Sequence, residues 1–296
     1  MLGFSPLERI DYSLFNENGV SVFVKRDDEL HPVVSGNKFR KLKYIIEEYK
    51  TTQSYKGIVS FGGAFSNHIH ALAYLCRQEN IPCVLLVRSA GGKARENPTL
   101  DDVRQWGADL IFLSDGQYKQ RANPSWYEKE FSQYSDYLWI PEGGSHPLSL
   151  RGVAESLSET REEFDSFNYI ICPVGTGATL AGLASVMKSE EELWGISALK
   201  GSQFDQSIKR HWQLESHHIK ILTQWHFGGY GKAPTRLQEF LKEFYRQTGL
   251  LLDPIYNGKS MFALCEMIKC GLIARGNTVF FLHTGGLQGW RGYQNK

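Results

Sequence analysis

No run of apolar residues in this sequence approaches the ~20 needed to span a bilayer. The N-terminal segment MLGFSPLERIDYSLF has acidic residues early and no apolar stretch of signal-peptide length, which predicts a cytoplasmic protein. Cysteine is scarce. The five residues, Cys76, Cys83, Cys172, Cys265 and Cys270, are an odd number with no CxxC pair. That argues against a disulfide framework or a structural zinc and fits reduced thiols. The nine histidines form no HExxH, so no zinc-peptidase site is indicated and no metal is expected. An excess of charge is missing too. Thirty-three Lys and Arg stand against 32 Asp and Glu, a net charge of +1. This balance disfavours nucleic acid or an anionic membrane as the partner. There is no internal repeat, no low-complexity tract and no Pro/Gly/Ser linker. If the chain forms two domains, it crosses between them more than once.

What is present is an ordinary globular composition, with 42% apolar and 22% charged residues over 296 positions. At roughly 100–200 residues per domain this allows two domains or one large one. Short apolar runs recur at Gly57–Phe61, Cys83–Val87, Asp109–Leu113, Tyr137–Ile140, Tyr169–Val174, Leu193–Ala198, Lys220–Trp225 and Thr278–Leu282. Several are apolar throughout, as parallel strands covered on both faces must be. Helical patterns lie between them, including Lys38–Lys50 and Ser66–Gln78. The alternation predicts an α/β class with parallel sheets.

Glycines stand behind four of these strands, at Gly62-Gly63, Gly143-Gly144, Gly175 with Gly177, and Gly285-Gly286. Ligands of open α/β sheets gather at strand carboxyl ends, so four such turns suggest one shared site. The plainer explanation is that glycine makes tight turns.

The run Tyr169–Val174 ends in Gly175-Thr176-Gly177-Ala178-Thr179-Leu180 and then a helix. Loop amides, helix dipole and two threonine hydroxyls outline a phosphate cradle. It is not a P-loop, because no Gly-Lys-Ser/Thr follows. Leu180 at the third glycine position of GxGxxG disfavours a nicotinamide dinucleotide. In Ser35-Gly36-Asn37-Lys38, Ser35 or Asn37 can cap a helix whose first turn carries Lys38. The positive end of the helix dipole would lower the ammonium pKa, as an imine-forming lysine requires. The same spacing fits a solvated basic face, since Arg40, Lys41 and Lys43 are close by. Ser66-Asn67-His68 opens a helix after Gly62-Gly63; the three could be simple capping residues or could hold a carboxylate. No GxSxG surrounds Ser66, which disfavours hydrolase chemistry. Tyr256 fits a core aromatic or a proton donor, and Thr284 a strand residue or a ligand contact.

SGNKFRKL, SFGGAFSNH, PVGTGAT, LLDPIYNGKSM and LHTGG occur in that order. Together they resemble the 1-aminocyclopropane-1-carboxylate deaminase/D-cysteine desulfhydrase family of pyridoxal-phosphate enzymes, from about Lys25 to Gly286. The resemblance implies a tryptophan-synthase-β-like fold, with two open, twisted, mostly parallel-sheet domains and pyridoxal 5'-phosphate in the cleft between them. Residues 1–50 and 151–296 would form the large domain, and 51–150 a small inserted one. Lys38 would form the internal aldimine. Asn67 would contact the 3′-oxygen of the ring, and Gly175, Thr176, Gly177, Ala178 and Thr179 would hold the phosphate. Ser66, Asn67 and His68 would bind the substrate carboxylate. Tyr256 would stand near the substrate amine or Cβ, as would Tyr230 in GGYGKAP. A homodimer is implied as well.

Two departures bear on the substrate. Asn257 stands where the deaminase branch has a glutamate paired with the pyridine nitrogen, and HTGG is similar to the desulfhydrase branch, so Thr284 takes that role. A hydroxyl partner leaves a neutral ring, a weaker electron sink that suits expulsion of a β-substituent better than opening of a cyclopropane. The expected activity is β-elimination from a small D-amino acid, D-cysteine first, giving pyruvate, ammonia and hydrogen sulfide. The alternatives are deamination of the cyclopropane amino acid to 2-oxobutyrate, or a non-catalytic ligand-binding protein on the same fold. A second departure is Phe65, where the family usually has glutamine; its bulk is expected to reshape the pocket.

Overall fold

The computed structural model describes residues 4–34, 36–89, 97–201 and 203–293, so the candidate cap Ser35 lies outside the described residues. Ten strands occur among the described residues. They are β1 (Leu7–Arg9), β2 (Ser21–Lys25), β3 (Ile58–Gly63), β4 (Cys83–Arg88), β5 (Asp109–Leu113), β6 (Leu138–Ile140), β7 (Tyr169–Val174), β8 (Glu192–Ser197), β9 (Ile219–Leu222) and β10 (Thr278–Leu282). They form a six-stranded sheet, β1-β2-β10-β7-β8-β9, and a four-stranded sheet, β5-β4-β3-β6. Every pairing is parallel except β1 with β2. The α/β class with mostly parallel sheets is therefore the one the chain adopts.

The eight apolar runs all form strands, three of them with the bounds read and five with slightly shifted ends; the run starting at Lys220 shifts most, since β9 stops at Leu222. Two strands were illegible. β1 is three residues long and carries Glu8 and Arg9. β2 ends on Lys25, a buried lysine whose charge is met by Glu159 at 2.8 Å and by the Ser5 carbonyl at 2.5 Å.

Alternation along each strand feeds two cores. Val279 and Phe281 of β10 pack on one face with Val22, Val24 and Ile171, while Phe280 and Leu282 pack on the other with Ile170, Cys172 and Val174. The smaller sheet repeats this, with Ile58 and Leu85 on one side and Val59, Phe61 and Leu86 on the other. Covering both faces explains the continuous apolar runs. It also leaves polar function to the strand ends. Adjacent β10 and β7 run out into Thr284 and Gly175, and β3 and β6 of the other sheet run out toward Ser66 and Glu142.

Candidate active site

The helix Asn37–Thr52 places Lys38 in its first turn. Its cap is Gly36 at φ 66°, and no side chain caps it, so the expected Asn37 cap is not formed. Asn37 is used otherwise. Its Nδ2 donates to Thr179 Oγ1 at 3.0 Å, and its Oδ1 accepts from Lys38 Nζ at 3.1 Å. Its backbone N–H donates to the Thr284 carbonyl at 3.2 Å. Gly36 is required there, because a Cβ would lie 1.9 Å from that same carbonyl oxygen. One dipeptide thus fastens the lysine to the cradle loop and to the end of β10.

The basic helix face is not solvated, contrary to one expectation. Arg40 is buried against Asp27, and Lys41 is 3% exposed. Lys38 and Lys41 line one cavity of about 390 Å³. Burial lowers the Lys38 pKa to about 8, opposed by the Asp253 carboxylate. Desolvation is the leading cause. Burial and the neighbouring Lys38 push Lys41 well below the usual lysine range, with only slight opposition from Cys172. The one acceptor for its Nζ among the described residues is the Gly143 carbonyl at 3.4 Å. Three residues apart on a helix, the two amines share a face.

The loop after β7 faces them. Gly177 turns at φ 88°, and a Cβ there would strike Ile208 at 2.5 Å. The first helical bond is Ala181 N–H to Gly177 O at 2.9 Å, which leaves the preceding amides of the turn available to an anion. Gly175, Thr176, Gly177 and Thr179 line the cavity, whereas the buried Ala178 side chain does not, so its amide is what it offers.

Ser66 caps the helix Asn67–Gln78 by accepting from His68 N–H at 3.2 Å. Asn67 accepts from Gln288 Nε2 at 2.6 Å through its Oδ1, so its amide NH2 stays free to donate. His68 is 1% exposed and pairs through Nε2 with Ser60 Oγ at 2.8 Å. The Ser60 hydroxyl gives its proton to the Ile140 carbonyl at 2.7 Å, so Nε2 must be the donor. That leaves Nδ1 as a bare lone pair, and it has no partner among the described residues. Burial, then Lys38 and Lys41, keep this ring far below its usual pKa and hence neutral. His68 therefore presents an acceptor, and a carboxylate bound here would draw its donors from Ser66 and Asn67.

At the carboxyl end of β10, Thr284 N–H and hydroxyl donate to Asn257 Oδ1 at 2.9 and 3.1 Å. Asn257 Nδ2 donates to the Gly285 carbonyl at 2.8 Å, which fixes the amide's orientation. The buried Asp253 accepts the N–H groups of Tyr256 and Asn257, each at 2.9 Å, and so satisfies two backbone donors where the helix Asn257–Lys269 begins. Tyr256 and Tyr230 meet edge to face, with ring centroids 6.0 Å apart. Burial first, then Tyr230 and Asp253, hold the Tyr256 phenol well above its ordinary pKa. Burial and Glu142 push Tyr230 up to about 12, although 46% of that residue is open at the cavity mouth.

The remaining wall comes from the smaller sheet and was not read from the sequence. Arg88, Tyr118, Arg121 and Glu142 line it, with Tyr118 Oη and Arg121 Nε each 2.6 Å from the Glu142 carboxylate. Phe65 does not line the cavity, contrary to expectation; it is 44% exposed and lies beside Gly292. Lys41, Asn37 and Gln288 were also missed, and only Lys41 carried a signal, its three-residue spacing from Lys38.

A protein-family model described as "Pyridoxal-phosphate dependent enzyme" matches residues 2–285. The chain belongs to this family. Its relatives include a Thermotoga maritima protein named "Putative 1-aminocyclopropane-1-carboxylate deaminase", 29% identical over 93% of this chain and 92% of the relative. An Arabidopsis thaliana protein named "Bifunctional D-cysteine desulfhydrase/1-aminocyclopropane-1-carboxylate deaminase, mitochondrial" is 28% identical over 92% of this chain and 74% of its own length. A solved structure described as an "ACC deaminase homologue" superposes with a TM-score of 0.84 at 22% identity, covering 98% of this chain and 92% of that one. The protein is thus a pyridoxal-phosphate-dependent enzyme with the expected tryptophan-synthase-β-like fold.

The residues of the cleft fit that cofactor. Two amines of the cleft, Lys41 buried and Lys38 partly so, have no carboxylate in contact among the described residues, and they face a loop with free amides. That donor set calls for an anion, and an amine whose pKa is lowered to about 8 is partly neutral near neutral pH, as condensation with an aldehyde requires. Among the described residues, no helix is long and apolar enough to cross a membrane, and no cluster of three His, Cys, Asp or Glu is placed to hold a metal.

Proposed function

We propose that this enzyme eliminates the β-substituent of a small D-amino acid, with D-cysteine as the favoured substrate. The overall change is D-cysteine plus water to pyruvate, ammonia and hydrogen sulfide. The observation that carries this reading is the end of β10, where a hydroxyl, Thr284, and an amide, Asn257, stand in place of a carboxylate; the hydroxyl, which donates to Asn257 Oδ1, would turn to donate to the pyridine nitrogen, with the Thr284 N–H still serving the amide. Such a pair supports a weaker electron sink, sufficient to expel thiolate.

When bound, pyridoxal phosphate supplies the aldehyde that takes up the amino acid and the ring that accepts the electron pair freed at its α-carbon. The amides of Gly175, Thr176, Gly177, Ala178 and Thr179, the Thr176 and Thr179 hydroxyls and the Lys41 amine would hold the phosphate. The free amide NH2 of Asn67 would meet the ring oxygen. Lys38, with its pKa near 8, would carry the cofactor and accept the α-proton. Ser66 and Asn67 would orient the substrate carboxylate, with His68 fixing the helix start through Ser60. Tyr256 and Tyr230 keep their protons at neutral pH and would serve as donors beside the substrate amine and Cβ. Small and large domains of residues 51–150 and of 1–50 with 151–296, a homodimeric assembly and a cytoplasmic location belong to the same proposal.

The relatives' names favour a second reading, ring opening of 1-aminocyclopropane-1-carboxylate to 2-oxobutyrate and ammonia. Assaying both amino acids side by side and identifying the keto acid separates the two. Pyruvate from D-cysteine without 2-oxobutyrate from the cyclopropane is the expected result, and the reverse overturns it. Lys38→Ala should abolish turnover and the borohydride-reducible absorbance band; pyruvate release at the normal rate would remove Lys38 from its role.

A further inference from the structure

Lys259 lies one turn beyond Tyr256, on the helix Asn257–Lys269, and is 0% exposed. A buried ammonium ordinarily finds a carboxylate. Lys259 forms no ion pair among the described residues. Its Nζ instead donates to three backbone carbonyls, Gly229 at 2.7 Å, His226 at 2.9 Å and Ala198 at 3.4 Å. Burial lowers its pKa to about 8, with Asp253 opposing, so the charged form holds at neutral pH.

These carbonyls come from two separate stretches of chain. Ala198 follows β8, and His226 and Gly229 belong to the turn that carries Tyr230. That turn is not in a sheet ladder, and Phe227 within it sits at φ 52°, an unfavourable setting for an aromatic residue. The Lys259 ammonium is therefore a strong link from this turn to the helix that bears Tyr256. Converging carbonyl dipoles with no carboxylate among them are a ligand set suited to a monovalent cation; divalent ions take carboxylates.

We propose that Lys259 is a tethered monovalent cation, a positioning residue whose ammonium occupies a three-carbonyl cage and so holds Tyr230 against Tyr256 over the cleft. It follows that emptying the cage creates a site for free ammonium or potassium. The inference rests on the cleft being the active site, not on the identity of its substrate.

The test uses the cofactor-loaded full chain and whichever amino acid the parent protein turns over. Lys259→Ala should lower kcat/KM by about tenfold or more, with part of the loss in KM, because the Tyr230 turn is released. Ammonium or potassium chloride should restore most of it at constant ionic strength, and tetramethylammonium chloride, too large for the cage, should not. The same two ions should raise the thermal midpoint of Lys259→Ala and leave the parent's unchanged, a readout that needs no substrate at all. Lys259→Met fills the space without donors; it should show the same loss and no rescue. If Lys259→Ala does not fold, Lys259→Met carries the test, and parental kcat/KM in that variant overturns the proposal. So does a Lys259→Ala protein that ammonium and potassium fail to rescue, and so does failure of both variants to fold with ammonium as well as without it.

Discussion

Asn257 and Thr284 are joined twice: the Oδ1 of Asn257 accepts both the backbone N–H and the hydroxyl of Thr284, at 2.9 and 3.1 Å. The amide cannot rotate without breaking its bond to the Gly285 carbonyl. Thr284 is thereby held at the mouth of the strand that ends in the cleft. Asn257→Ala leaves the Thr284 N–H without its buried acceptor, which costs about 1–3 kcal/mol. Denaturant unfolding should show that loss, and equilibrium dialysis should show weaker retention of pyridoxal phosphate. Unchanged stability and retention would mean that the loop holds itself.

Gly36 offers a sharper case. A methyl group there meets the Thr284 carbonyl at 1.9 Å, and the backbone φ of 66° is already unfavourable for any other residue. Gly36→Ala should destabilise the fold by about 3 kcal/mol or more and displace Lys38 from the cleft. Thermal unfolding measures the first effect, and borohydride trapping of bound cofactor measures the second.

With its pKa lowered to about 8, Lys38 should be half neutral at a pH where an ordinary lysine is almost wholly charged. The rate at which the cofactor-free protein captures an aldehyde should climb about tenfold per pH unit below pH 8 and level off above it. A rate that keeps climbing toward pH 10 would identify a solvated amine.

Glu159 ties the back of the Lys38 helix together, meeting Arg40 at 2.7 Å and Lys25 at 2.8 Å. Although burial opposes it, the two cations lower its pKa from 4.5 to about 2. A carboxylate lowered in the folded state contributes stability above its ordinary pKa and loses it as the pH falls. The stabilisation should therefore be complete above pH 4.5 and fade down to about pH 2. Because nearly half of the side chain is open to water, the contribution is on the order of 1 kcal/mol or less. Glu159→Gln should flatten the stability profile in that window and leave neutral pH turnover close to parental.

Most of the framework was legible because it is written in local patterns. Apolar runs such as Tyr169–Val174 and Thr278–Leu282 are continuous since both faces are covered, and the glycines after them mark the turns. Lys41 was misread for a physical reason: a basic run at a helix start looks the same whether water or a second helix faces it. Here Pro147–Ser158 packs against it and encloses the charges. The opposite wall was invisible because Arg88, Tyr118 and Glu142 converge only through the smaller sheet and its connections. Likewise, nothing local connects Gln288 with Asn67, which are 221 positions apart.

The last strand, β10, does not add to an edge of the larger sheet; it slides between β2 and β7. During synthesis the early segment bearing Lys38 must wait, with its eventual neighbours not yet made, until Thr278–Leu282 has left the ribosome. Uptake of the vitamin-derived aldehyde would therefore have to follow synthesis of β10, and a message truncated before the codon for Thr278 would yield a protein with a hole through the middle of its main sheet.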